Sequence, residues 1–200
     1  MPTLIMMHGM TGDAAMMRPF AEKILPEGWT LLVPQARYKH PARGFTWWRY
    51  ENFDADVTRR MNLSRKELID VDASLSQLEH LVATEAPMGP LIVGGFSQGG
   101  AMAQELLHLP IADRIQGLIC IATRLVRPME LRIRLSELDQ KRLFWMHGEK
   151  DIRVPIEDGW AVAHQFESAE WAVELIEHKK GHMIPIEHHD ALKEWLETFI

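Results

Sequence analysis

The residues Gly95-Phe96-Ser97-Gln98-Gly99 place one hydroxyl at the junction between the apolar run Leu91-Ile92-Val93 and a helical pattern over 98–108. At such a strand-to-helix corner the serine is forced into a strained turn that lifts its Oγ clear of the sheet. The positions two before and two after it approach so closely that glycine is the natural occupant. The chemistry on offer is nucleophilic attack. A serine hydroxyl attacks poorly until a base takes its proton, and the base works best when a third group orients it. Asp151 follows the run RLFWMH and His182 follows the run WAVELIEHKK, each in a loop just past a strand end. Glu149 competes for the carboxylate role, but it stands nearer its strand, and Val154-Pro155 suits a turn led by Asp151.

Acyl transfer also needs N–H donors for the developing oxyanion, each worth roughly 3–4 kcal/mol of barrier. One is expected from the backbone N–H of Gln98, at the start of its helix. The other is expected from the glycine-rich loop HGMTGD over 8–13, where the N–H of Met10 is favoured and that of Thr11 is the nearest competitor. Asp13 reads as the cap of the helix that follows. His178 and His182, with Glu187, His188 and His189 behind them, raise the question of a metal. Their spacing aligns ligands only on a helix, and a strand end and Gly181 intervene, so no metal is expected. His8 and His147, each before a glycine at a strand end, read as structural hydrogen-bonders. His188, His189 and Asp190 read as a solvated face.

These side chains need a scaffold that brings several strand ends together. Six short apolar runs, 3–8, 30–34, 90–96, 115–122, 142–147 and 171–177, suit strands of a mostly parallel sheet covered on both faces. Helical spacing predicts helices near 13–25, 62–85, 98–108, 155–168 and 187–199, with Glu157 and Asp158 in a first turn. In the longest, Leu63, Leu68, Val71, Leu75, Leu78 and Val82 form an apolar stripe, and Arg65, Lys66, Glu67, Asp70 and Glu79 lie on other faces. Strand, helix, strand with right-handed crossovers gives an open α/β sheet that binds ligands at its carboxyl edge. Segments 37–60 and 123–140 resist assignment; the first is too long for an ordinary connection, and the second fits a short helix or a strand.

A length of 200 residues with 46% apolar content suits one domain over 1–200. The formal charge of −6 argues against a nucleic-acid surface, which calls for a basic excess. A single cysteine, Cys120, sits in an apolar run and reads as a small buried hydrophobe. No basic leader and no long apolar segment is visible, so a cytoplasmic protein without stable membrane insertion is expected.

Ser97, Asp151 and His182 occur in the order of an α/β-hydrolase triad. The segments LIMMHGMTGD, GGFSQGGAMA, HGEKDIRVP and GHMIPIE, in order over residues 4–187, resemble the signature segments of the small carboxylesterase/phospholipase family that includes the acyl-protein thioesterases. The resemblance implies Ser97, Asp151 and His182 as the triad, Met10 and Gln98 as oxyanion donors, no cofactor, a monomer or homodimer, and activity on small-molecule esters. It also implies that the sequence starts at the third strand of the full fold, without the antiparallel N-terminal pair. GFTWWRYENF lies where relatives carry an aromatic segment over the acyl pocket, so Trp47 and Trp48 are candidates to line it, with structural packing of at least one as the alternative. Arg124, Arg127, Arg132 and Arg134 either favour an acidic substrate or form a solvated basic face, the latter being favoured. Met6, Met7, Met10, Met16 and Met17 either fill core gaps or give the site a pliable lining. The expected activity is serine-dependent hydrolysis of short-acyl carboxylic esters. The alternatives are an acyl-thioesterase or lysophospholipase using the same three residues, and a hydrolase-fold binding protein without turnover.

Overall fold

Unbroken apolar runs in the centre of a sheet must meet a core on each side, and two cores are what the strands separate. The computed structural model describes residues 1–50 and 62–199. Its strands are β1 (Thr3–Met7), β2 (Thr30–Leu32), β3 (Tyr38–Lys39), β4 (Phe45–Thr46), β5 (Leu91–Phe96), β6 (Ile115–Ile121), β7 (Arg142–Gly148) and β8 (Ala172–His178). Six of them form one sheet in the order β2-β1-β5-β6-β7-β8, with every pairing parallel. Side chains alternate across it as the pleat requires. Ile5, Met7, Val93, Cys120 and Trp145 face one core, and Leu4, Met6, Ile92, Ile119 and Phe144 face the other. Met6 and Met7 are therefore core residues, both fully buried. Cys120 is buried as well, and burial pushes its thiol up.

The helices are α1 (Ala14–Ile24), α2 (Arg65–Glu85), α3 (Gln98–Glu105), α4 (Pro128–Glu137), α5 (Ile156–Glu167) and α6 (His189–Glu197). Asp13 caps α1, its side chain accepting from the N–H of Met16 at 2.8 Å. The helix expected to run to residue 108 tightens after Glu105 into a 3₁₀ turn, Leu106–His108, and another such turn, Ile186–His188, precedes α6. The segment 123–140, open between helix and strand, contains α4, which starts on a proline and buries Leu131 and Leu135 one turn apart. His189 departs from the expected solvated face: it is buried, its ring 4.9 Å from that of Phe20.

The path of the chain decides where a site lies. From β1 it moves outward to β2, then returns past β1 to β5 and proceeds through β6, β7 and β8. With right-handed crossovers, α1 and α3 leave the neighbouring strands β1 and β5 toward opposite faces. Residues of α1 and α6 fill one core and residues of α2, α3, α4 and α5 fill the other. The crevice opened between the carboxyl ends of β1 and β5 is the place where such sheets bind ligands.

The long segment 37–60 is described as far as residue 50; its remainder lies outside the described residues. β3 and β4 form an antiparallel ribbon apart from the main sheet. The chain beyond it is tied to α2: Arg49 makes a two-pronged pair with Asp70 at 2.8 and 2.7 Å, and Ser74 Oγ donates to Trp47 O at 2.6 Å. Asp70, expected on a free face, is thus buried by a partner distant in sequence, and Glu67 is buried as the return half of a capping box with Ser64.

The basic face expected from Arg124, Arg127, Arg132 and Arg134 is not formed as such. Arg132 is exposed, but Arg134 donates to Leu107 O at 2.8 Å, and Arg124 is buried. Arg127 bridges two helices, pairing with Asp72 of α2 and with Glu105 of α3 at 2.6 Å. Burial pushes the Glu105 carboxyl up to about 7, against the pull of Arg127. Removing Arg127 leaves that burial unopposed. In an Arg127→Met variant the folded chain keeps its Glu105 proton to still higher pH, while the unfolded chain loses it near the ordinary value of 4.5. The folded wild type ionises Glu105 only above about 7, so the cost of the substitution grows only there, and at pH 8 it is expected to exceed that at pH 5 by about 1 kcal/mol. Urea unfolding at the two pH values measures it, and an equal loss at both would refute the account.

Candidate active site

Ser97 sits between β5 and α3 with φ 54° and ψ −118°, a left-handed conformation that a non-glycine residue holds only at a cost of order 1–3 kcal/mol. The surroundings over-determine it. Its N–H donates to Ile121 O at 2.8 Å, and its carbonyl accepts from Ala101 N at 3.1 Å and from Thr123 Oγ1 at 2.7 Å. A Cβ on Gly95 would fall 2.5 Å from Met7 O, and one on Gly99 would fall 2.2 Å from the same oxygen. Both glycines are needed because α3 starts against the end of β1.

Asp151 lies in the loop after β7, its side chain fully buried. Oδ1 accepts the N–H groups of Arg153 and Val154, both at 2.9 Å, and Oδ2 accepts from His182 Nδ1 at 2.7 Å. An ionised carboxylate only accepts, so Nδ1 carries the proton and Nε2 is bare. Burial alone would raise the Asp151 pKa, but the bonds from His182, Val154 and Arg153 outweigh it and hold the group below the usual aspartate value. Glu149, the competing carboxylate, instead pairs with Lys179. The His182 ring packs 4.7 Å from that of Phe96, the residue before Ser97.

The two remaining strand-end histidines serve the frame. His8 Nδ1 donates to Gly9 O at 2.8 Å, and Nε2 accepts from Ala36 N at 3.1 Å and lies 3.0 Å from Gln35 Nε2. Burial holds its pKa down, and the ring is neutral. His147 Nε2 donates to Val154 O at 2.9 Å, and its pKa too is lowered by burial. His178 Nδ1 accepts from Lys180 N at 3.3 Å, and among the described residues no group of three or more His, Cys, Asp or Glu side chains is placed to hold a metal ion.

A pocket of about 540 Å³ opens where these loops meet. Ser97, His182, Met10 and Gln98 all line it. Gln98 is the first residue of α3, so its N–H has no acceptor within the helix. The N–H of Thr11 donates to Phe45 O at 2.9 Å and is occupied, whereas that of Met10 has no acceptor among the described residues. The ribbon holds this loop in place through a reciprocal bond from Phe45 N to Gly12 O at 2.8 Å.

Trp47 and Trp48 part company. Trp48 is on the pocket wall. Trp47 is not among the lining residues: it is fully buried, its ring 5.4 Å from His8 and its Nε1 donating to His8 O at 2.8 Å. The chain bends at both residues just past β4, and the two side chains leave it toward different neighbours. Of the five methionines, Met10, Met16 and Met17 line the pocket and Met6 and Met7 do not; Met183 joins them.

Thr123 and Arg124 also belong to the site, and Gln98 has a second part in it. Gln98 uses its side chain to hold the aromatic segment, Oε1 accepting from Thr46 Oγ1 at 2.8 Å and from Trp47 N at 3.0 Å. Thr123 braces the Ser97 carbonyl, and Arg124 lines the pocket. Thr123 and Arg124 follow the end of β6, so the rule that picked out Asp151 and His182 past their strands also points to them; the Gln98 side-chain bonds have no signal in the sequence.

A sequence model described as phospholipase/carboxylesterase matches residues 1–200. No curated protein matches the chain. Among solved structures, the chain is similar to an esterase titled PE8 (TM-score 0.80, 18% identity, covering 100% of this chain and 93% of that one). It is also similar to SOBER1 of Arabidopsis thaliana (TM-score 0.76, 17% identity, 98% of each chain) and to acyl-protein thioesterase 2 of Zea mays (TM-score 0.76, 19% identity, 98% and 93%).

Proposed function

The chain belongs to the phospholipase/carboxylesterase family, and on that premise we propose that it is a serine-dependent carboxylic-ester hydrolase acting on small or short-acyl esters. The observation that carries the reading is the Nδ1–Oδ2 bond of 2.7 Å between His182 and Asp151, on a pocket shared with the strained Ser97. That bond leaves Nε2 free to accept a proton. Ser97 Oγ attacks the ester carbonyl as His182 Nε2 takes its hydrogen. The oxyanion is met by the N–H groups of Gln98 and Met10, which cost no reorganisation because no other acceptor among the described residues occupies them. The tetrahedral intermediate collapses, His182 protonates the departing alcohol, and water repeats the sequence to free the acid. Asp151 holds the ring and stabilises its cation.

A pocket of this size suits small ligands. No helix among the described residues is long and apolar enough to cross a membrane. Trp48 is the aromatic residue assigned to the substrate wall.

A fluorophosphonate probe tests the nucleophile. Wild-type protein is expected to be labelled stoichiometrically and folded Ser97→Ala not at all; equal labelling of both, or none of the folded wild type, would falsify the assignment. Likeness to an acyl-protein thioesterase favours a second substrate class through the same residues. Rates on matched oxygen esters and thioesters rank the two.

A further inference from the structure

The two N–H groups proposed to meet the oxyanion stand on different elements: that of Gln98 opens α3, and that of Met10 lies in the loop after β1. Their spacing must be fixed by something that touches both. Within the loop Thr11 holds φ 68°, a left-handed conformation that a β-branched residue keeps only where its surroundings impose it. The ribbon and the residue after it impose it, gripping the loop on both sides of Met10. Before Met10, Trp47 Nε1 donates to His8 O at 2.8 Å; after it, Thr11 N donates to Phe45 O at 2.9 Å and Phe45 N donates to Gly12 O at 2.8 Å. The same stretch is tied to α3 by one side chain. Gln98 is only 5% exposed; its Oε1 accepts from Thr46 Oγ1 at 2.8 Å and from Trp47 N at 3.0 Å, and its Nε2 donates to Trp48 O at 3.4 Å. Both ends of the amide are engaged by residues 46–48. Loop, ribbon and α3 thus close a hydrogen-bonded circuit, and its link at the α3 end is this amide.

We propose that Gln98 is, through its side chain, a positioning residue for the oxyanion hole: its backbone supplies one donor, and its amide, acting through Thr46, Trp47 and the ribbon, sets where the Met10 N–H points. A substrate oxygen then meets two donors whose spacing is referred to a single residue. This rests on the hydrolase reading above and deepens it.

The test breaks one hydrogen bond from either end. Gln98→Met keeps the length of the side chain and removes the acceptor, and Thr46→Val keeps the shape and removes the hydroxyl. On a 4-nitrophenyl ester, kcat is expected to fall about thirtyfold in the first and about tenfold in the second, with KM within about twofold, because the donors act on the tetrahedral state rather than on the bound ester. Thr46→Ser, which retains the hydroxyl, is expected to stay within about threefold of wild type. The double variant is expected to lose no more than Gln98→Met alone, since both changes cut one link. Hydrogen–deuterium exchange at the Thr11 N–H reads the grip without turnover and is expected to quicken about tenfold in both single variants. An unchanged Thr11 exchange rate, losses that add in the double variant, or a loss carried by KM overturns the proposal. Should Gln98→Met not fold, Thr46→Val and Thr46→Ser decide it by kinetics and exchange. If wild type hydrolyses no ester, the hydrolase reading fails, and the exchange comparison still decides whether Gln98 holds the loop.

Discussion

An Asp151→Asn variant is expected to fold normally and lose about four orders of magnitude in kcat. The reason lies in which atoms face Asp151. Its Oδ1 accepts two backbone N–H groups, from Arg153 and Val154, and these cannot turn into acceptors. An asparagine must therefore set its carbonyl oxygen there and its NH₂ against His182 Nδ1. That nitrogen must then be bare, and the ring proton moves to Nε2, where the imidazole can no longer take a proton from Ser97. The nearly isosteric change leaves packing intact and reverses the tautomer. Steady-state kinetics with circular dichroism as the folding control measures it, and a kcat within tenfold of wild type would remove Asp151 from the mechanism. Glu149→Gln supplies the contrast. Its carboxylate pairs with Lys179 at the surface, so the change should stay within about twofold.

The second large effect comes from one added methyl group. Gly99→Ala puts a carbon 2.2 Å from Met7 O, 2.6 Å from Met7 C and 2.8 Å from His8 O. All three are backbone atoms at the end of β1, and none can rotate away. Either α3 retreats or the loop after β1 moves, and in both cases the N–H groups of Gln98 and Met10 no longer converge. Overpacking of this kind costs about 3 kcal/mol, roughly 6–12 °C in Tm for a chain of this size. Misplacing the donors by an ångström costs about a hundredfold in kcat/KM. Calorimetry and kinetics on one preparation test both, and a variant with wild-type Tm and rate would show that α3 is not held against β1 as described.

The sequence is most legible where function follows chain position. The four central strands are buried on both faces, so their apolar runs are nearly continuous and their ends easy to find. Ser97 and Asp151 follow two of those ends and His182 follows β8 at the edge of the sheet, and parallel strands turn the three ends into one neighbourhood. What stayed hidden depends on partners distant in the chain. Arg127 looks like a surface charge until Glu105 and Asp72 arrive from two helices, and Asp70 looks exposed until Arg49 reaches it. Trp47 and Trp48 are indistinguishable as letters; only the direction of the segment after β4 separates the one under His8 from the one on the pocket. The sequence already favours Met10 over Thr11, and Phe45, whose carbonyl occupies the Thr11 N–H, adds a reason that no local pattern carries.

The span of the bonds that assemble the site has a consequence for folding. Asp151 and His182 are 31 residues apart, Trp47 and His8 are 39 apart, and Thr46 and Gln98 are 52 apart. Each contact closes a long loop before it returns any free energy, so such contacts form late, after local helices and neighbouring strands. Under the proposed mechanism Ser97 is until then an ordinary hydroxyl, with no base beside it and no donors converging on its substrate. Reactivity is thus withheld from the nascent and partly folded chain and arrives only with the complete tertiary structure.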